Sequence, residues 1–144
     1  MLNKFIKLKR KTRSNAQNKI IYTFTFMNVL VIGASVKPER YSNIAINMLN
    51  EFNHNVFAIG LRKAVVNNVD IETEHKNFEN IDTVTLYLNE HRQTDYYNYI
   101  IGLKPRRIIF NPGTENSEFY KLLDEAKIKY EVACTLVLLR TGLF

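Results

Sequence analysis

A turn that combines glycine, hydroxyl and basic side chains is the part of the sequence best suited to bind an anion. It reads GASVKPERYS over residues 33–42 and follows an apolar run. Glycine at a strand end lets backbone approach a phosphate closely, and the next helix would offer free N–H groups and its positive dipole end. Ser35 would add a hydroxyl donor, and Lys37 and Arg40 would add positive charge. Because the G-x-G-x-x-G motif is incomplete, the segment also fits a plain strand-to-helix turn with Ser42 as the N-cap.

Two adjacent basic residues, Arg62 and Lys63, come shortly after the second apolar run, Asn55–Ile59. At about this position an NAD-binding fold carries an acid that binds the ribose hydroxyls. A basic pair favours a ribose that carries a phosphate, because the two groups would form charge-assisted hydrogen bonds. The pair therefore indicates coenzyme A or NADP rather than NAD. Two solvated loop charges would give the same sequence.

A loop rich in turn formers, NPGTE over residues 111–115, follows the apolar run Arg107–Phe110. Its position after a strand would bring it against a ligand. The same loop also fits a simple entry to the next helix, with Thr114, Asn116 or Ser117 as the cap.

Few other residues have the character of catalytic or metal-binding groups. Cys134 is the single cysteine and the one candidate nucleophile, and no basic residue or histidine stands beside it in the sequence to lower its pKa. We therefore expect a small buried thiol. We expect His54, His75 and His91 to be surface residues. Since cysteine and histidine nowhere show metal-ligand spacing, we expect neither a metal site nor catalytic residues.

The elements that must position these loops alternate between strands and helices. Five strands are predicted from short apolar runs and three helices from apolar residues at helical spacing. The strands are Asn28–Gly33, Asn55–Ile59, Thr83–Leu88, Arg107–Phe110 and Tyr130–Cys134. The helices cover Ser42–Phe52, Glu90–Ile101 with Gly102 as C-cap, and the segment from Phe119 to Ala126, and a short apolar tail covers Leu136–Leu139. This alternation predicts an α/β fold with a doubly wound, parallel, five-stranded sheet, helices on both faces and a ligand at the carboxyl ends of the strands.

Length and charge indicate one domain and a separate basic tail. The chain has 144 residues, with 20 Lys and Arg against 14 Asp and Glu. Residues 1–26 hold seven basic residues and no acid, so residues 27–144 carry 13 basic against 14 acidic residues. We expect residues 1–26 to be an extension that is disordered or not native, with Met27 as the initiator. A basic arm for phosphate backbones and a targeting peptide are the alternatives.

Composition excludes several classes of protein. With 46% hydrophobic residues and only eight Gly and Pro together, the chain is neither disordered nor collagen-like. A single cysteine cannot form an internal disulfide, and no apolar run approaches the roughly 18 residues that span a bilayer. We therefore expect a soluble, cytoplasmic protein with no membrane partner.

Four segments together resemble the small stand-alone coenzyme A-binding domain family. They read VLVIGASVKPERYS, VFAIGLRK, IIFNPGTEN and EVACTLV, and the resemblance covers essentially all of residues 27–144. Members of this family are single Rossmann-like domains similar to the coenzyme A-binding domain of the succinyl-CoA synthetase α subunit. Many members have Asn-Pro where this chain has Gly60-Leu61, so the resemblance does not define its adenine-side contacts. The synthetase also uses a phosphorylated histidine from a further domain, which has no match here.

The resemblance implies a set of ligand-binding residues. The diphosphate would lie on the first turn, the basic residue after the second strand near the adenosine, and the Pro-Gly loop after the fourth strand along the site. The residues so placed are Gly33, Ala34, Ser35, Val36, Lys37, Arg40, Tyr41, Arg62, Lys63, Phe110, Asn111, Pro112 and Gly113.

The resemblance also implies a function. It indicates a module that holds coenzyme A or an acyl derivative and carries out no chemistry of its own. The alternative is an NADP-binding module, or a thioester or redox module that uses Cys134. A third possibility, nucleic-acid binding through the basic tail, is not expected of residues 27–144, which are slightly acidic and have no basic stripe. The acyl group, the oligomeric state and any protein partner are left open.

Overall fold

A seven-stranded sheet lies at the centre of the computed structural model, which describes residues 25–144 and the backbone of residues 7, 8, 22 and 23. Its strands are β3 (Asn28–Ala34), β4 (Asn55–Gly60), β5 (Ala64–Val66), β6 (Val69–Glu72), β7 (Thr83–Leu86), β8 (Arg107–Phe110) and β9 (Lys129–Val132). The order across the sheet is β5-β6-β4-β3-β7-β8-β9. A separate antiparallel pair is formed by β1 (Lys7–Leu8) and β2 (Tyr22–Thr23), and most of the expected N-terminal extension lies outside the described residues.

The strand order creates a crevice at β3. Every neighbouring pair in the large sheet is parallel except β5 and β6. The six parallel strands therefore follow the 3-2-1-4-5-6 order of the Rossmann fold, with β3 as the first strand. From β3 the chain builds outward through β4 and β6, and it then returns to the other side of β3 to form β7, β8 and β9. In such sheets ligands bind outside the carboxyl ends of the strands where the order reverses.

The predicted count of five strands is wrong, because β5 and β6 form an additional hairpin between the second and third predicted strands. The two strands are joined by Asn67 and Asn68, which both have positive φ, +48° and +63°. Two such residues form the tight turn that matches the twist of antiparallel strands. Strands of three and four residues leave too little periodicity in the sequence for a strand to be predicted there.

Helices cover both faces of the sheet, as predicted. They are α1 (Tyr41–Glu51), α2 (Glu90–Gln93), α3 (Tyr97–Leu103), α4 (Ser117–Glu125) and α5 (Thr135–Thr141). Alternate residues of the strands point to opposite sides, so Val29 and Val31 pack with α1 and α5 while Leu30 and Ile32 pack with α3 and α4. Each buried large side chain stabilises the fold by about 1.5–3 kcal/mol. This packing fixes the strand ends and hence the loops that follow them.

Several predicted helix boundaries are wrong. The helix expected over residues 90–101 is interrupted by a 3-10 turn at Thr94–Tyr96 and ends at Lys104, which takes the left-handed conformation in place of Gly102. The apolar tail predicted over residues 136–139 belongs to α5. Helix α1 has Arg40 as its N-cap, and Ser42 is buried inside the first turn. The capping preferences of glycine and serine do not predict these helix boundaries, because tertiary packing overrides local propensity.

Candidate ligand-binding cavity at the carboxyl ends of the strands

A cavity of about 610 Å³ opens where β3, β4, β7 and β8 end. Its volume lies within the range of small-molecule sites, which is about 300–1,000 Å³. The lining residues come from four strand-end segments. They are Gly33, Ala34, Ser35, Val36, Lys37, Arg40, Tyr41 and Ser42; Gly60, Leu61 and Arg62; Tyr87, Leu88, Asn89, Arg92 and Tyr96; and Pro112, Gly113 and Thr114.

The turn after β3 is held in place by its own hydrogen bonds. The backbone N–H of Lys37 donates to the Ser35 hydroxyl at 3.2 Å, and the Arg40 N–H donates to the Lys37 carbonyl at 3.1 Å. The amide of Asn43, in α1, donates to the Ser35 carbonyl at 3.0 Å. Helix α1 then starts without a side-chain cap and without an acidic residue in its first turn. The first turn of α1, which lines the cavity through Arg40, Tyr41 and Ser42, therefore places no carboxylate of its own at the positive end of the helix dipole.

Gly33 is required by backbone conformation and by a neighbouring strand. Its φ is +91°, and a Cβ there would lie 2.9 Å from the carbonyl carbon of Tyr87. Few side chains tolerate such a φ, and no real Cβ approaches backbone so closely. The glycine therefore brings the turn against the end of β7. This finding differs from the sequence argument, in which the glycine makes room for a phosphate.

At the end of β4 the structure separates the two predicted basic residues. Arg62 lines the cavity, whereas Lys63 does not. The charge of Lys63 instead interacts with the Glu72 carboxylate. A hydrogen bond from Lys76 is the main cause that lowers the pKa of Glu72, and the Lys63 charge lowers it further. Beside Arg62, Leu61 is 75% exposed in the cavity mouth. Of the two basic residues predicted for the site, only Arg62 therefore lies where a ligand in the cavity could contact it.

The wall after β7 was missed by the sequence analysis. Tyr87, Asn89, Arg92 and Tyr96 line the cavity there. Burial raises the pKa of Tyr87 to about 12, so its hydroxyl stays protonated at neutral pH. The rule that ligands bind at the carboxyl ends of strands also applies to the segment after β7. No glycine or basic pair marks that segment, so composition alone did not draw attention to it.

A buried glutamine joins the walls after β7 and β8. Gln93, fully buried in α2, donates to the Leu88 carbonyl at 2.8 Å and to the Thr114 carbonyl at 2.7 Å. Its own carbonyl oxygen accepts a hydrogen bond of 3.0 Å from the Asn116 amide. Asn116 also caps α4, since its side chain accepts from the Phe119 N–H, and it is one of the three caps proposed from the sequence. Two cavity walls are thus held at a fixed separation.

The loop after β8 contributes Pro112 and Gly113 to the cavity but not the two residues before them. Phe110 is fully buried in the core between α4 and the sheet. The amide of Asn111 is buried and donates to the Thr85 hydroxyl at 2.7 Å and to the Leu86 carbonyl at 2.9 Å. Both residues therefore support the loop from below. The Gly113 N–H is already engaged, because it donates to the Glu115 carboxylate at 2.9 Å.

The structure brings together ten of the thirteen residues predicted for the site. The ten are Gly33, Ala34, Ser35, Val36, Lys37, Arg40, Tyr41, Arg62, Pro112 and Gly113. Lys63, Phe110 and Asn111 lie outside the lining. The role of each residue toward a ligand stays a prediction.

The charge of the cavity is one-sided. Lys37, Arg40, Arg62 and Arg92 line it, and no carboxylate does so among residues 25–144. Within that same part of the chain, none of these four cations forms an ion pair; the pairs that exist join other residues. A cleft lined by one sign of charge concentrates counter-ions. The cavity is therefore suited to a ligand with several negative charges.

Cys134 and the histidines stand apart from this cavity. Cys134 is half-buried at the start of α5, so its predicted place in a buried strand is wrong. His54 accepts a hydrogen bond from the Met27 N–H at 3.1 Å, His75 stacks on Tyr99 and contacts Tyr96 at a tilt, and His91 is exposed. In the described part of the chain, no three His, Cys, Asp or Glu residues gather as metal ligands would. That part also contains no helix long and apolar enough to cross a bilayer.

The strand order and the cavity at its switch point define a Rossmann-like α/β domain. The chain belongs to the coenzyme A binding domain family, whose sequence profile matches residues 27–140. This membership confirms the resemblance stated from the four sequence segments. No match was found among curated proteins.

Solved structures agree with the fold. An uncharacterized protein is 41% identical, with a TM-score of 0.81 over 83% of this chain and 99% of its own. The protein cell-free ID.343 from Thermus thermophilus is 20% identical, with a TM-score of 0.74 over 83% of this chain and 91% of its own. A hypothetical protein from Pyrococcus horikoshii OT3 is 24% identical, with a TM-score of 0.70 over 80% and 83%. The last two likenesses show the fold alone.

Proposed function

We propose that the chain binds coenzyme A or an acyl-CoA in this cavity and carries out no chemistry of its own. The observation that carries the proposal is the set of four cations without an acid, found at the switch point of a coenzyme A binding domain. Coenzyme A carries a diphosphate and a phosphate on its ribose, so it offers two separate clusters of negative charge. Charge-assisted hydrogen bonds to such groups are about twice as strong as neutral ones.

The diphosphate fits the turn after β3. Residues 33–37 present backbone there, Lys37 adds an ammonium, and the uncapped start of α1 adds the positive end of its dipole. Arg40, the N-cap residue of α1, adds a guanidinium on the same side. A diphosphate at this position would receive both backbone and side-chain donors.

The ribose phosphate fits Arg62. This residue follows β4, which neighbours β3, so it lies one strand away from the diphosphate turn. An arginine binds a phosphate in a bidentate manner, which a lysine cannot do. The exposed apolar surfaces of Leu61 and Tyr41, which also line the cavity, would pack against the adenine ring.

The proposal includes no catalytic step, because Cys134 and the three histidines lie outside the cavity lining. A nucleophile needs a general base within hydrogen-bond reach, and it needs access to the substrate. NADP, like coenzyme A, carries a phosphate on a ribose, so a contact to that phosphate does not distinguish the two ligands. Their affinities must therefore be compared directly.

Titration calorimetry tests the proposal with coenzyme A, dephospho-coenzyme A and NADP. We expect coenzyme A to bind at least tenfold more tightly than the dephospho form, since a hydrogen bond to a charged group contributes about 1.5–3 kcal/mol. Arg62→Gln should remove that difference, whereas the adjacent Lys63→Gln should preserve it. Equal affinity for the two coenzyme A forms would refute the role of Arg62. Tighter binding of NADP than of coenzyme A would favour the alternative.

A further inference from the structure

Arg92 is a cation that the phosphates of coenzyme A leave without a partner, and this inference rests on the proposed function. Lys37 and Arg40 belong to the diphosphate turn after β3, and Arg62 belongs to the end of β4. Arg92 reaches the cavity from α2, after β7, on the opposite side of β3. Since neighbouring strands are about 4.8 Å apart, the ends of β4 and β7 are separated by about 10 Å.

The orientation of the ligand follows from this arrangement. With the ribose phosphate at Arg62 and the diphosphate at the β3 turn, the rest of coenzyme A extends toward β7 and β8. The wall there contains Tyr87, Leu88, Tyr96 and Pro112, which are uncharged. Such a wall suits the pantetheine arm, which has amides and a thiol but no charge. Arg92 is the one charged residue among the lining residues after β7 and β8.

Arg92 is also exposed and unpaired within residues 25–144. The nearest acid in sequence, Glu90, lies 3.8 Å from the His91 ring. The Asn89 side chain accepts a hydrogen bond of 3.1 Å from the Arg92 N–H and so fixes the first turn of α2. Among residues 25–144 no ion pair involves the Arg92 guanidinium, so its donors are available to a ligand. These donors match a carboxylate in a bidentate manner.

We propose that the ligand of this cavity is an acyl-CoA whose acyl group ends in a carboxylate, and that Arg92 binds this carboxylate. The remaining surface of coenzyme A offers no anion on that side of β3. A neutral acyl chain would leave the guanidinium as it is, in contact with water. A chain with a terminal carboxylate would form a charge-assisted pair with it.

Two stable thioethers of coenzyme A test this proposal. S-(3-carboxypropyl)-CoA and S-butyl-CoA have a four-carbon chain in common and differ only in the terminal carboxylate. We expect the carboxylate form to bind about tenfold more tightly to the wild-type chain, as for a hydrogen bond to a charged group. Arg92→Gln should reduce this ratio to about one, and Arg92→Lys should restore part of it. The control is Arg140→Gln, which removes an exposed arginine from α5, outside the cavity, and should leave the ratio at its wild-type value.

The possible outcomes separate the two proposals. If coenzyme A and both thioethers bind with the same affinity, the assignment of Arg92 is wrong and the proposed function stands. If Arg92→Gln weakens all three ligands by one factor and preserves the wild-type ratio, Arg92 belongs with the phosphates and the inference is overturned. If none of the three ligands binds, the proposed function and the inference both fail.

Discussion

Replacement of Gly60 by alanine tests how tightly β3 and β4 meet at the cavity. A Cβ at this position would fall well inside van der Waals contact with the Ala34 carbonyl oxygen, and 2.9 Å from Cγ2 of Ile71. The first neighbour is backbone of the adjacent strand, at a point where the register already shifts. Gly60 does not have a positive φ, so its backbone conformation suits alanine. The whole cost of the substitution is therefore steric.

The magnitude follows from two opposing effects. Forcing an extra methyl group into a packed site costs about 1–3 kcal/mol. Replacing glycine by alanine reduces the entropy of the unfolded chain and returns about 0.4–1 kcal/mol. We expect the free energy of unfolding to fall by about 1–2 kcal/mol. At roughly 4 °C per kcal/mol, the Tm should fall by about 4–8 °C in a thermal melt followed by circular dichroism.

Two other glycines provide matched controls. Gly102, in α3, has no atom within 4 Å of a built Cβ, so Gly102→Ala should stabilise the helix by about 0.5–1 kcal/mol. Gly113 also has open space but a φ of +89°, so Gly113→Ala should cost about 1–2 kcal/mol from backbone conformation alone. If Gly60→Ala melts with Gly102→Ala, above the wild type, the steric argument at the β3–β4 junction is refuted.

The Asp82 carboxylate, the Asn111 amide and the N-terminal segment each allow a further test. Burial raises the pKa of Asp82, but the hydrogen bonds from Arg106, at 2.9 and 3.0 Å, and from Thr83 together outweigh it and lower that pKa. The carboxylate therefore stabilises the fold above its ordinary pKa of 3.8 and loses this effect as pH falls through the lowered value. Asp82→Asn should cost about 1 kcal/mol near pH 7, and urea titrations should show the difference from wild type vanish in strong acid; a constant difference would contradict this. Asn111→Ala should lower the free energy of unfolding by about 1–3 kcal/mol, because the buried Thr135 N–H loses its acceptor at 2.9 Å. The folded fraction should still bind coenzyme A with wild-type affinity, and a selective loss of affinity would show that Asn111 contacts the ligand. A chain that begins at Met27 should bind coenzyme A within about twofold of the full chain in the same titration, because the lining residues found within 25–144 all lie between positions 33 and 114.

The position of the cavity was predictable from the sequence because it depends on the buried strands. Runs such as Asn28–Gly33 and Arg107–Phe110 are apolar on both sides, which is typical of central parallel strands. Their order along the chain restricts the topology, and the topology determines where a ligand binds. The β5–β6 hairpin was not predicted, because its turn uses Asn67 and Asn68 rather than the more familiar Asn-Gly.

The identity of individual site residues was less predictable, because it depends on side-chain direction. Arg62 and Lys63 are adjacent and chemically similar, and only the path of the chain from β4 into β5 turns one of them toward the cavity. Phe110 and Asn111 are the two residues before Pro112, but the end of β8 directs both into the interior. Position in the sequence therefore identified the loop without showing which of its side chains line the cavity.

The charge of the whole chain is a weak guide to function here, whereas its distribution is informative. Residues 27–144 contain 13 basic and 14 acidic residues, and 19 of these 118 residues line the cavity, so an even spread would place about two of each sign there. The lining instead has four basic residues and, within the described part of the chain, no acidic one. A solvated surface gains nothing from such segregation, because like charges that share a cleft repel each other. The segregation destabilises the free protein slightly and is offset when a polyanion binds, and this is the physical reason to expect a ligand with several negative charges.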